Sequence, residues 1–465
     1  MDNHNRRQFL GWAAALASLP PLRAQSGRNG KVFDARDYGA VGDGRTLDTA
    51  PIQRAIDAAA AAGGAQVLLR GGRKYLVSTL VLKSGIDFHL ADDAELVVSA
   101  NQADYPAGSD GILTANGARD LKVTGTGNIN GRATEFMADY SKEGEIWNPK
   151  PFRPKIFVLT ACHGLEVRDL TFSQAPQWGL HMIGCEHVLV DGLKIRNNLE
   201  VPNCDGIDPD HCRDVEIRKC DIVCGDDAIV IKATRQTANY GPSANITVKD
   251  CVIETKDSGL KIGTETTDDI HDIRFEACRI ASGCRGLTIQ LRDEGNVYNI
   301  DYNDIQFEAR YQAAPWWGRG EAISFTAIPR ARGGKVGRIH DVRVRNVTGR
   351  AENSVRVNGV AETRIGNLSF ENVALTFDRW TRYPGGVFDN RPTTAYPDIE
   401  QHRTPGFNIR YADGVTLKDC KVAWGANRPE YFTHALEAEN VTSLGLTSFT
   451  GEAAHPERDQ AILIR

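Results

Sequence analysis

A right-handed parallel β-helix is the fold that this sequence predicts, and two patterns predict it. The first is an eight-residue unit, apolar at positions 1, 3, 6 and usually 8. It reads LEVRDLTF from Leu165, VLVDGLKI from Val188 and VEIRKCDI from Val215, then ITVKDCVI from Ile246, IRFEACRI from Ile273 and IDYNDIQF from Ile300. Weaker copies start at Val342, Leu368, Val415 and Val441. The second pattern is the period: the first six starts lie 23, 27, 31, 27 and 27 residues apart. Period-2 alternation marks strands, and a repeat of about 20 to 50 residues marks a solenoid. Val, Ile and Thr dominate the units, as parallel stacked strands require. Asn, Asp and Gly punctuate them, as turns require.

Taken in chain order, residues 1–24 read as an export signal. Arg6-Arg7 precedes Phe9-Leu10, an apolar stretch from Gly11 to Leu19 follows, and cleavage is expected near Ala24. Such a stretch is too short to span a membrane. The arginine pair resembles a bacterial twin-arginine signal, which implies a periplasmic or extracellular location. The bland alternative is a basic tail. Residues 32–465 are then a single β-helix domain, with an N-terminal cap at about 32–100. In that cap Asp48 or Thr49 opens a helix, Pro51 fits its first turn and Gly63-Gly64 ends it. A solenoid needs its end covered. Position 6 of the unit carries Cys220, Cys251, Cys278 and Cys420, which read as small inward hydrophobes. Cys204, Cys212 and Cys224 fall outside that ladder, and an exported location allows one disulfide among them.

The net charge of −5, without a basic run, argues against nucleic acid. No segment after the signal is apolar enough to cross a membrane. No cofactor is implied, no metal-ligand cluster stands out, and a monomer is expected.

Chemistry concentrates in Asn203-Cys204-Asp205-Gly206-Ile207-Asp208 and Gly225-Asp226-Asp227. In a coil of this period Asp205, Asp226 and Asp227 land on adjacent turns. Clustered carboxylates push one another's pKa values apart, so that one becomes a proton donor while another stays a base. The structural alternative is a set of turn carboxylates capping backbone N–H groups, the role expected of Asp208 and Asp210.

These residues resemble glycoside hydrolase family 28, the polygalacturonase-like pectin hydrolases. The resemblance runs from about Val32 to Leu375. It rests on the Asp37-Tyr38-Gly39-Ala40 entry, Asn203-x-Asp205, Gly225-Asp226-Asp227 and Lys232 after the pair. It implies the β-helix fold and hydrolysis with inversion of a pectic poly- or oligosaccharide. It also implies Asp226 as proton donor, with Asp205 and Asp227 holding and deprotonating a water. Polygalacturonases next carry Gly-His-Gly and Arg-Ile-Lys. Here Ser258 stands at the histidine, and Thr288 and Gln290 stand at the two cations. That departure points to a galacturonide or rhamnogalacturonan-type linkage rather than plain homogalacturonan.

Further substrate contacts are expected from Asn203, Lys232, Ser258, Lys261, Gln290 and Arg292, with Arg292 supplying an anion contact. For Lys232 the alternatives are tuning the Asp pair or lying solvated. Trp178 and His181 offer a stacking face and a hydroxyl partner, or else a core Trp beneath a loop. Of Trp316 and Trp317, at least one is expected at the groove. Two other functions fit a β-helix: a polysaccharide lyase, marked by an unsaturated product, and a non-catalytic carbohydrate-binding protein, against which the three intact carboxylates argue.

Overall fold

The structure, a computed structural model, describes residues 30–465; the export-signal segment 1–24 lies outside the described residues. Among the described residues no helix is long and apolar enough to cross a membrane. The chain winds as a right-handed parallel β-helix. Each turn adds one strand to each of three parallel ladders. The repeated unit supplies the second and third ladders, and it stacks unit on unit. Leu165 lies opposite Val188, Val188 opposite Val215, Val215 opposite Ile246, Ile246 opposite Ile273 and Ile273 opposite Ile300. The corners explain the polar punctuation. His187, Asp214, Asn245, Asp272 and Asn299, each just before a unit, have left-handed backbone, as do Asp169, Lys219, Asp250 and Asp304 at position 5. Asn and Asp tolerate that conformation better than most L-residues.

The position-6 cysteines are buried in the core, as the pattern predicts. Cys204, Cys212 and Cys224 are also buried, and all three are free thiols. The disulfide that export allows is not formed in this structure; Cys204 Sγ donates to the Val201 carbonyl at 3.1 Å and accepts the Gly225 N–H at 3.0 Å. The last copy of the unit is displaced from its expected start. Val415 pairs with Leu444, not Val441, which puts Leu446 opposite Leu417 at position 3 and not at position 6; it is 37% exposed. Apolar residues at 441, 444 and 446 made the two starts indistinguishable by alternation.

The helix Thr49–Ala61 buries Ile52, Ala55, Ile56 and Ala59 against the first turns. Gly64 N–H closes it on the Ala59 carbonyl at 3.1 Å. Asp48 does not cap it through its side chain. Its carboxylate instead accepts from the N–H groups of Val41 and Gly42, at 2.7 and 2.9 Å. Stacking also starts inside the stretch read as cap: Val32–Asp34 pairs with Gln66–Leu69, which pairs with Asp87–Leu90.

The front ladder carries the site. Its strands include Leu180–Ile183, Ile207–Asp210, Ile229–Ala233, Ser258–Thr266, Arg285–Leu291, Glu321–Ala327 and Asn353–Asn358. The loops that enter it from the third ladder include the long excursions, two of them closed by antiparallel hairpins: Met137–Ser141 with Ile146–Pro149, and Val387–Asp389 with Ile399–Gln401.

Candidate active site

Two motif glycines let the turns approach closely enough to gather the carboxylates. A Cβ on Gly206 would meet the Ala228 carbonyl oxygen at 2.3 Å, and one on Gly225 would meet the Val201 carbonyl oxygen at 2.3 Å. Only glycine fits there. Asp205 precedes the first glycine, and Asp226 and Asp227 follow the second. Ile207 pairs with Ile229, so Asp205 and Asp227, two residues earlier on each strand, hold equivalent places on adjacent turns. One carboxylate oxygen from each of the three aspartates lies within 4.8 Å of the others.

Asn203 sits in left-handed backbone at φ 56° and directs its N–H to Asp226 Oδ2 at 2.9 Å. Asp226 Oδ1 accepts the N–H of Asp227 at 2.9 Å. Arg153 clamps the loop from outside the motifs. It donates to Asn203 Oδ1 at 3.1 Å and to the Pro202 carbonyl at 2.9 Å.

The aspartates have unequal surroundings. Lys261 Nζ donates to Asp227 Oδ2 at 2.6 Å. Lys232 Nζ lies 3.9 Å from Asp205, 3.9 Å from Asp208 and 3.3 Å from Glu265. Burial first, then the charges of Asp205 and Asp227, pushes the Asp226 carboxyl well above the ordinary range. Burial and Asp208 do the same to Asp205. For Lys232, burial alone would favour the neutral amine, but Glu265, Asp205 and Asp208 outweigh it and raise the ammonium. Burial would likewise raise Glu265, yet Lys232 and Lys261 hold it down to about 2. Three carboxylates this close are also a donor set for a hard cation. In this cleft the Lys261 ammonium already brings positive charge to Asp227.

The carboxylates open on a cleft of about 210 Å³. Of the residues expected at the site, it brings together Asn203, Asp205, Asp226, Asp227, Lys232, Trp178, Lys261 and Gln290. Trp317 lines it too, while Trp316 is fully buried. Lys155 and Lys232 each place Nζ over the Trp178 ring, at 4.8 and 4.7 Å.

Three expected contacts stand away from the cleft. His181 is buried, accepts from Lys155 Nζ at 3.1 Å and donates to Asp210 at 3.2 Å; burial keeps it neutral. Ser258 is buried and donates to Asp257 at 3.0 Å. Arg292 is spent on backbone, with Ile328 and Asn390 carbonyls each at 3.4 Å; burial, then Arg356 and Arg285, drops it to about 9.

Asp208 and Asp210 do not sit in a turn, and of the two Asp210 accepts a backbone N–H. They lie on the strand Ile207–Asp210, and both are fully buried. Asp210 accepts from Thr234 N–H at 2.8 Å. Asp208 has no hydrogen-bond partner on either oxygen, and burial pushes it up to about 7.

Residues missed from sequence are Asp257, Thr264, Glu265, Arg285, Arg391 and Pro392. Asp257 had a usable signal. Ile229 pairs with Leu260, so Asp257 repeats the place of Asp226 one turn on. Burial and Asp227 raise it to about 6. Arg285 donates to Asp257 at 3.2 Å. Arg391 comes from a loop more than a hundred residues further along the chain, and no local pattern marks it.

Residues 70–383 match the family described as glycosyl hydrolases family 28. A probable polygalacturonase of Vitis vinifera is 28% identical over 55% of this chain and 56% of its own length. A polygalacturonase of Chamaecyparis obtusa is 30% identical over 59% and 54%. The chain spans about half the length of these relatives. The family 28 exopolygalacturonase structure of Yersinia enterocolitica superposes with a TM-score of 0.65 at 18% identity, over 89% of this chain and 78% of that one, a likeness of fold. With the match covering most of the coil and both carboxylate motifs, the chain belongs to glycosyl hydrolase family 28.

Proposed function

We propose that the protein is a secreted, inverting glycoside hydrolase acting on a pectic poly- or oligosaccharide, at a galacturonide or rhamnogalacturonan-type linkage rather than in plain homogalacturonan. The observation that carries this reading is the contrast between neighbours Asp226 and Asp227. Asp227 has the Lys261 ammonium 2.6 Å away. Asp226 has no such partner and is driven toward the protonated form. Neighbouring carboxyls with such different surroundings supply an acid and a base in one site. Asp226 gives its proton to the departing glycosidic oxygen as that carbon–oxygen bond breaks. A water held by Asp205 and Asp227 adds to the sugar carbon and leaves its proton on them.

Carboxylates within 4.8 Å are closer than the roughly 6.5–9.5 Å of a two-carboxylate inverting pair, and a pair alone would read as retaining. The third carboxylate supports inversion. Two groups can share the water, and none need attack the sugar.

Lys232, Lys261, Arg285 and Arg391 around the cleft support an anionic sugar, and the named relatives support the pectic class. Ser258, Thr288 and Gln290 support the departure from homogalacturonan, because none carries a charge. The N-terminal arginine pair and apolar stretch support export, to the periplasm or beyond the cell.

A panel of defined pectic oligosaccharides tests the reading. Hydrolysis with a new reducing end is expected, fastest on members containing neutral sugars. An unsaturated product absorbing in the ultraviolet would mark a lyase, and binding without cleavage would mark a carbohydrate-binding protein.

A further inference from the structure

The segment after the strand Ile365–Phe377 leaves the coil on the edge between the third and front ladders, and it crosses the front face. On the near edge it is fixed by Gly318 N–H to Asp389 at 2.9 Å and by Arg391 to the Trp316 carbonyl at 3.0 Å. Beneath its middle, Arg356 of the front ladder donates to the Asp389 carbonyl at 3.2 Å and to Asn390 Oδ1 at 2.6 Å. The same guanidinium lies 4.4 Å over the Phe388 ring. Arg292 reaches the Asn390 carbonyl. On the far edge, Thr394 N–H donates to the Arg330 carbonyl at 2.7 Å, and Thr393 Oγ1 donates to the Pro329 carbonyl at 2.5 Å. Arg330 is itself tied to the Thr264 carbonyl at 2.9 Å and to Asp293.

The segment therefore spans the ladder from edge to edge, over Glu321–Ala327 and Asn353–Asn358. Those strands follow directly on Arg285–Leu291, whose Arg285 and Gln290 line the cleft. Arg391 and Pro392 of the segment are part of the cleft wall. The cleft that holds the three carboxylates ends at this wall. The stop stands three strands beyond Ile229–Ala233, about 14 Å at the usual strand spacing.

We infer that the cleft accepts the end of a pectic chain and not its interior, so that this segment sets chain-end action. The inference rests on the hydrolase reading above. An internal cut needs the polymer to continue on both sides of the broken bond, and on this side the crossing segment occupies the path. Its anchors are buried arginines and backbone hydrogen bonds on both edges, so the wall is part of the folded coil and not a flap resting on it.

The test follows viscosity and reducing ends together while the full chain acts on a long pectic polymer. Reducing ends are expected to accumulate while viscosity barely falls, with one short product size from the start. Viscosity that drops ahead of reducing ends, with a ladder of intermediate sizes early on, would overturn the inference and leave the hydrolase reading intact. Absence of cleavage on any pectic substrate would instead sink the hydrolase reading, and this inference with it. Replacing residues 391–397 by two glycines is expected to raise the viscosity lost per bond cut several-fold. A folded variant with an unchanged ratio would show that the segment is not the wall.

Discussion

Along the front ladder, the strands Ile229–Ala233, Ser258–Thr266 and Arg285–Leu291 send side chains to the cleft, whereas Glu321–Ala327 and Asn353–Asn358 lie under the crossing segment. The two regions share one backbone register. A single outward column runs from Lys261 through Thr288 and Ser324 to Arg356 and Asn408. Lys261 and Arg356 are the same position three turns apart. Lys261 meets Asp227 at the cleft, and Arg356 meets Asn390 beneath the hairpin. Position in the repeat thus decides which way a side chain points. What packs above that position decides whether the charge meets a substrate or holds a loop.

The largest effect is expected in the open region. Asp226→Asn should lower turnover by at least ~10²-fold, the scale of one lost acid–base group, with an unchanged far-ultraviolet circular dichroism spectrum. A near wild-type rate on the best substrate would remove Asp226 from the chemistry. Next, turnover on unsubstituted polygalacturonate should fall roughly tenfold or more below that on a pectic substrate with neutral sugars, the scale of one or two altered pocket contacts. High turnover on the plain polymer would show that Lys261, Arg285 and Arg391 replace the lost cations.

The covered region should respond in stability instead. Arg356→Ala leaves the Asp389 carbonyl and Asn390 short of buried donors, which costs about 1–3 kcal/mol. The melting temperature should drop while kcat on short oligosaccharides holds. A loss of kcat with no loss of stability would mean that the two regions are not divided as described.

The smallest effect concerns Asp208. Its carboxyl rises from an ordinary 3.8 to about 7 in the fold, so the folded state holds that proton more tightly than the unfolded chain. The resulting stability is fully present below about pH 4 and is lost as pH climbs toward 7. The melting temperature should fall across that window, and Asp208→Asn should flatten the fall by a few degrees. Asp257, raised to about 6, and Asp205 and Asp226, likewise pushed up, leave a residual slope. An unaltered slope in Asp208→Asn would place the titration elsewhere.

The coil was legible because one unit writes two ladders with inward apolar residues, and each unit stacks on its neighbour. The carboxylate cluster was legible because Asp205, Asp226 and Asp227 sit beside glycines that adjacent turns need for close packing. Asp208 was misread because a polar run between strands looks like a turn, and here it is the strand itself. Arg292 was misread because the loop over it comes from about a hundred residues later. Arg391 and Pro392 arrive by the same loop. A one-dimensional repeat records contacts between neighbouring turns and is silent about segments that cross them.

Proton NMR of the first sugar released tests the central claim most directly. A water shared by Asp205 and Asp227, with Asp226 as the acid, predicts a first product whose anomeric configuration is opposite to that of the bond cleaved. A first product of retained configuration would mean that one of the three carboxylates attacks the sugar, which contradicts the account.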